Sequence, residues 1–180
     1  MDRHHGQRLA RPSGSFYRVD PDGRVTKQFG DVIVSNTVAI APDQRTLYFS
    51  DTRRHVTWAF DLDAAAGALS NRRIFVDHRA AAERPDGACI DADGCVWIAI
   101  FAGGRVVRYT PAGKVDRTIA LPVTNPTCPC LGGPDLRTLY ITTARKFLEP
   151  RTDCRPSRSQ GRCSRCRYRS LACPEQRFAG

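Results

Sequence analysis

The sequence predicts an all-β chain made of consecutive propeller blades. Three observations predict it. Short runs rich in β-branched and aromatic residues recur through the middle of the chain, and such residues suit a pleated, half-buried surface. Asp-Gly and Gly-Gly pairs, Asp22-Gly23, Asp93-Gly94 and Gly103-Gly104, fall between the runs. They supply the positive φ of tight hairpin turns, which recur at intervals of about eight to twelve residues. Third, a longer unit of about 40 to 50 residues repeats along the chain, with four strands in each unit.

The strands follow in order. They are expected at 15–19, 25–29, 37–41, 47–51, 56–60, 73–76, 88–91, 96–101, 106–109, 116–121 and 139–143. No long helical period interrupts them, and the Ala-rich stretch 80–83 reads as loop. The larger repeat begins at Ser35 (SNTVAIAPDQRTLYFSDT), again at Pro85 (PDGACIDADGCVWIAIF) and again at Asn125 (NPTCPCLGGPDLRTLYITTA). Each copy is a polar start, an apolar strand, a Pro/Gly/Asp turn and a second strand with an aromatic. In a blade of this kind the first strand lines the central channel.

Superposing the copies sets Asn36 opposite Asp86, both just before the inner strand of a blade. Two readings stand. Asn and Asp are common turn residues. Alternatively, an amide oxygen and a carboxylate converge on one channel mouth, as oxygen ligands of a hard cation do.

Composition narrows the class. Hydrophobic residues make up 41% of 180, which suits one globular domain. No run approaches the roughly 20 apolar residues of a membrane span, and residues 1–12 are polar and Arg-rich without an apolar core. A soluble, cytoplasmic protein without a membrane partner is expected. The net charge is +10, but residues 145–180 carry ten Lys/Arg against three acids, and the rest is nearly balanced. Basicity concentrated in a tail does not mark the body as a nucleic-acid binder. No Ser-His-Asp order, P-loop or dinucleotide fingerprint is present.

Individual residues read more plainly. Cys89, Cys95, Cys128 and Cys130 are expected as free thiols. Cys89 reads as a small buried hydrophobe, and Cys128 and Cys130 as buried packing at a third blade mouth. Trp58 and Trp97 are expected in matching core positions. Asp51 reads as a turn residue or as a support behind the ligands, and Arg53-Arg54 and Arg72-Arg73 as solvated charges. His4-His5 reads as a frayed terminus, and His55 and His78 receive no role. The tail holds Cys154, Cys163, Cys166 and Cys173 amid Arg, Ser and Pro. It reads either as a zinc knot, or as a disordered tail or a segment (148–173) translated out of frame.

Several segments together resemble the gluconolactonase and regucalcin (senescence marker protein) family of six-bladed propellers. They are GSFYRVDPDG (14–23), SNTVAIAPDQRTLYFSDT (35–52), WAFDLD (58–63) with GALSNRRIFVD (67–77), PDGACIDADGCVWIA (85–99), GGRVVRYTP (103–111) and LPVTNPTCPCLGGPDLRTLYITTAR (121–145). The resemblance implies the C-terminal portion of such a propeller, about three to four blades, over residues 14–145. Residues 1–13 then form a disordered or residual segment and 146–180 an irregular Arg/Cys-rich, basic tail. It implies a divalent metal ion, calcium, zinc or manganese, at the top of the channel. Family members use a Glu from the first blade, absent here, an Asn that matches Asn36 and an Asp that matches Asp86. The family's Ser-Asn-Gly is Ser35-Asn36-Thr37 in this chain, so a glycine is lost beside a ligand. Asp86 would also be the catalytic carboxylate. The activity implied is hydrolysis of a small-molecule sugar lactone to an aldonic acid, impaired in so short a chain. The alternative is a non-catalytic propeller fragment acting as a binding module. No oligomeric state follows from the sequence.

Overall fold

The computed structural model describes residues 11–145 and 164–167. His4-His5, and the tail outside 164–167 with Cys154, Cys163 and Cys173, lie outside them. So do the side chains of 164–167, and with them both readings of the tail.

Thirteen strands are present among the described residues, in four antiparallel sheets. A two-stranded sheet holds β1 (Gly14–Val19) and β2 (Val25–Val32). A complete four-stranded sheet runs β3 (Ser35–Ile40), β4 (Thr46–Asp51), β5 (Val56–Asp63) and β6 (Ala68–Asp77). A second runs β7 (Arg84–Ile90), β8 (Val96–Phe101), β9 (Arg105–Tyr109) and β10 (Val115–Ala120). The last sheet orders β11 (Pro126–Gly132), β12 (Thr138–Thr143) and β13 (Ser164–Arg167). The four-residue β13 interrupts a tail expected to be irregular. A short 3-10 turn, Arg79–Ala81, replaces the loop expected there.

The sheets pack face to face in chain order with an apolar layer between each pair. Phe49, Phe60 and Leu47 meet Phe16 and Phe29 of the first sheet. The Phe29 ring lies 5.1 Å from both Phe49 and Phe60. Tyr48 and Ala59 meet Ile98, Ile100 and Val107. Trp97, Ala99 and Val106 meet Leu131, Leu139 and Ile141. Burial of these alternating side chains is the main force holding the blades in order. Trp97 is core as expected, fully buried on the second strand of its blade. Trp58 is half-buried on the third strand of its own, so the two do not occupy matching positions.

The inner strands β3, β7 and β11 lie side by side. β11 has no range of its own among the expected strands, although the repeat copy at Asn125 implies a strand there, because Pro126, Pro129 and two cysteines blur its pattern. Proline is tolerated there because an inner-edge strand leaves N–H groups without a ladder partner. Each inner strand carries one extra residue near its start: between Asn36 and Ala39, between Pro85 and Ala88, and between Pro126 and Cys128. Such bulges re-aim side chains. Asn36 and Asp86 therefore sit inside the irregular first turns of β3 and β7, not before them.

The second complete blade is pinned from within. Each nitrogen of the buried Arg108 guanidinium holds a carboxylate: Nε to Asp91 at 2.8 Å, Nη1 to Asp116 at 2.9 Å and Nη2 to Asp93 at 2.7 Å. Trp97 Nε1 donates to the same Asp91 oxygen at 2.8 Å. The other Asp91 oxygen accepts the N–H groups of Asp93 and Cys95, which closes the Asp93-Gly94 turn.

Candidate functional site

Asn36 and Asp86 come from neighbouring blades, and two threonines join their surroundings. Thr37 Oγ1 donates to the carbonyl of Asp86 at 2.5 Å. Thr52, just past β4, donates to the carbonyl of Pro85 at 2.6 Å and receives the Asn36 Nδ2 amide at 2.7 Å. Asn36 thus lies within two hydrogen-bond lengths of the peptide that precedes Asp86. Neither threonine belongs to the expected site. For Thr37 a signal exists: it stands where a glycine is expected, and its φ is +48°. A β-branched residue there is strained by about 1–3 kcal/mol. Thr37 is nevertheless 2% exposed and holds Asp86's backbone.

Asp86 is half-buried. Burial pushes its carboxyl up to about 6, and only a backbone hydrogen bond from Gly87 opposes the rise. No cationic side chain among the described residues lowers it. A desolvated carboxylate without a cation beside it is the donor type a divalent ion would satisfy. The neutral amide of Asn36 would add a second hard oxygen. Among the described residues no three His, Cys, Asp or Glu side chains gather to hold an ion. Asn36 and Asp86 are two oxygen-donor side chains of the kind a hard cation takes. Calcium takes about 6–8 oxygens.

The loop that delivers Asp86 is anchored behind it. Glu83 pairs with Arg105, and His78 Nδ1 donates to Glu83 Oε2 at 3.0 Å. His55 Nδ1 donates to the Glu83 carbonyl at 2.6 Å. With His78 Nδ1 carrying a proton, Nε2 of the neutral ring accepts from Thr57 at 3.0 Å, and Thr57 accepts from Ser50 at 2.8 Å. Burial lowers the His78 pKa, against the opposing pull of Glu83. Burial alone would raise Glu83, but hydrogen bonds from His78 and Arg105 outweigh it and hold the carboxyl below its ordinary value. The two histidines without an expected role are thus structural supports of the site. Asp51 is fully buried and accepts the N–H groups of Ile33 at 2.8 Å and Val34 at 3.1 Å, fixing the backbone ahead of Asn36.

The cysteines divide. Cys89 and Cys95 are free thiols. Cys89 packs against the third apolar layer, and burial raises its pKa. Cys128 and Cys130 are exposed, not buried, because Pro129 and Leu131 take the inward positions of β11. Cys128 packs beside Gly87, where an added Cβ would lie 2.7 Å from Cys128 Sγ and from the Thr127 carbonyl. Gly87→Ala should therefore force β7 and β11 apart and cost about 1–3 kcal/mol. A urea titration checks this, and unchanged stability would contradict the contact. Arg54 pairs with Asp31 at 2.7 Å and Arg73 with Asp61 at 2.6 Å, while Arg72 lies 5.4 Å from the Trp58 ring centroid.

A cavity of about 570 Å³ lies at the other ends of the strands, between the turns at Pro42, Gly94 and Pro111, with Tyr48, Arg73 and Phe75 in its wall. Neither Asn36 nor Asp86 lines it. Its concavity carries less weight than the desolvated carboxylate of Asp86.

The profile of the SMP-30/gluconolactonase/LRE-like region matches residues 1–145. The chain belongs to the SMP-30/gluconolactonase/regucalcin family. It is 43% identical over 136 residues to a 6-deoxy-6-sulfogluconolactonase of Pseudomonas putida, covering 76% of this chain and 47% of that protein. It is 40% identical over 143 residues to regucalcin of Oryctolagus cuniculus, covering 79% and 48%. Its fold matches the crystal structure of a calcium-binding regucalcin from Agrobacterium tumefaciens with a TM-score of 0.84 at 30% identity, over 90% of this chain and 55% of that one. A gluconolactonase from Xanthomonas campestris matches with a TM-score of 0.61 at 29% identity, over 76% and 43%. The four sheets are thus blades of a partial regucalcin-like propeller. The chain spans about half the length of these relatives.

Proposed function

We propose that this chain carries part of a metal-dependent lactone-hydrolysing site, in which Asn36 and Asp86 give oxygen ligands to one divalent cation, calcium, zinc or manganese. The observation that carries the proposal is Asp86, a half-buried carboxylate with its pKa raised and no cationic side chain to offset it. The hydroxyl link from Asn36 to Pro85 supports a shared ligand role. When bound, the cation would supply Lewis-acid polarisation of the lactone carbonyl. Asp86 would orient a water toward the carbonyl carbon and accept its proton. The ring C–O bond then breaks and its oxygen takes that proton from Asp86, leaving as a hydroxyl and giving an aldonic acid or a similar hydroxy acid. Asn36, being neutral, supplies an oxygen without adding charge that would compete with the anionic product.

The relatives support a sugar lactone as the substrate class, since one is a 6-deoxy-6-sulfogluconolactonase and another a gluconolactonase. The chain spans about half the length of these relatives, so the activity of the 180 residues alone should be impaired. The test is hydrolysis of gluconolactone by the 180-residue chain with calcium, zinc or manganese added. A metal-dependent rate that Asp86→Ala removes is expected. A rate no higher than buffer with all three ions would end the catalytic reading and leave a binding module.

A further inference from the structure

We infer that Thr52 is a positioning residue, whose hydroxyl decides which side of the Asn36 amide is offered to the cation. The inference rests on the ligand roles proposed above for Asn36 and Asp86. A threonine hydroxyl has one proton and can also accept. The Pro85 carbonyl, 2.6 Å away, can only accept, so the proton goes there. Toward Asn36, at 2.7 Å, the Thr52 oxygen must therefore accept, and only Nδ2 of the amide can donate. Nδ2 is thereby committed to Thr52, and Oδ1 is turned away from it. Rotating the amide by half a turn would set two acceptors against each other.

The same hydroxyl fixes the other ligand. Pro85 O belongs to the peptide that leads into Asp86, and Thr37 holds the carbonyl that leads out of it at 2.5 Å. Both peptides flanking Asp86 are thus held by hydroxyls from the blade that carries Asn36. Thr52 is itself fixed by its N–H, which donates to Val34 O at 3.0 Å. One hydroxyl therefore couples the amide's orientation to the carboxylate's placement. Partners of this kind behind metal ligands typically change affinity by about 10- to 100-fold when removed.

The test uses the full 180-residue chain, titrated with manganese(II) and followed by electron paramagnetic resonance. Thr52→Val should weaken manganese binding by about 10- to 100-fold, with Thr52→Ala as a second variant if the first misfolds. Thr52→Ser should stay within about threefold of wild type. In an Asn36→Ala background, Thr52→Val should cost less than in wild type, because only its hold on the Pro85–Asp86 peptide is left to lose. A readout without metal accompanies it. The Asn36 side-chain amide signals, assigned by their loss in Asn36→Ala, should move to the position of a solvated Asn in Thr52→Val. Manganese affinity unchanged in Thr52→Val, while Asn36→Ala has lost binding, would overturn the positioning role. So would Asn36 amide signals that stay in place. If Asn36→Ala and Asp86→Ala both bind like wild type, the cation site itself falls and the role of Thr52 with it.

Discussion

Asp86→Asn should melt above wild type in metal-free buffer at pH 7.5 and lose the stabilisation that added manganese gives. The Asp86 carboxyl is raised from 3.8 to about 6, chiefly by burial. Its folded pKa therefore lies above its unfolded one. Above about pH 6 the folded state carries the full cost of a desolvated charge. As pH falls from 6 toward 4 the folded protein takes up a proton and that cost disappears. Each pKa unit corresponds to about 1.4 kcal/mol, and partial exposure reduces the full figure, so Asn should gain about 1–2 kcal/mol at pH 7.5. The gap between the two proteins should close below about pH 4. In wild type an ion at a hundred times its Kd adds about 2.7 kcal/mol, and in Asp86→Asn most of that gain should vanish. Melting curves over pH 4–8, with and without manganese, check both parts. A variant less stable than wild type at pH 7.5 would show that Asp86 is a structural anchor. Stability given up at one carboxylate is what a ligand site requires.

Arg108→Leu should be the most damaging single change to the fold. The guanidinium is 7% exposed and answers Asp91, Asp93 and Asp116. Asp91 is fully buried, so removing the cation leaves an uncompensated charge beneath Trp97. Breaking a buried pair in this way costs about 3–5 kcal/mol. That is a large share of a domain's usual 5–15 kcal/mol, so thermal unfolding should move to markedly lower temperature. Arg108→Lys should recover only part of the loss, because one ammonium cannot reproduce a planar fork. A change below about 1 kcal/mol would mean that the cluster behaves as a solvated surface network.

The blades were readable in the sequence because period-two alternation and Asp-Gly turns are local signals. The register of the repeats pointed to Asn36 and Asp86 as equivalent positions, and both do lie near the starts of the adjacent inner strands β3 and β7. β11 was legible only through the repeat and not as a strand with bounds, because Pro126 and Pro129 suppress strand propensity and only the inner-edge position makes them acceptable. The Thr37 and Thr52 contacts join blades 49 and 33 residues apart, and no spacing rule relates such pairs. The loss of glycine at Thr37 did mark a residue with positive φ, although not the hydrogen bond the hydroxyl makes. His78 and Glu83 lie five residues apart, but their chain of hydrogen bonds depends on Thr57 and Ser50. Cys128 and Cys130 differ from expectation because hydropathy does not tell which side of an inner strand faces inward.

The most direct measurement is anomalous diffraction from crystals of this chain grown with manganese. One peak is expected about 2.0–2.6 Å from both the Asn36 side-chain oxygen and an Asp86 carboxylate oxygen. A map with no peak there, or with the two oxygens too far apart to share an ion, would contradict the account.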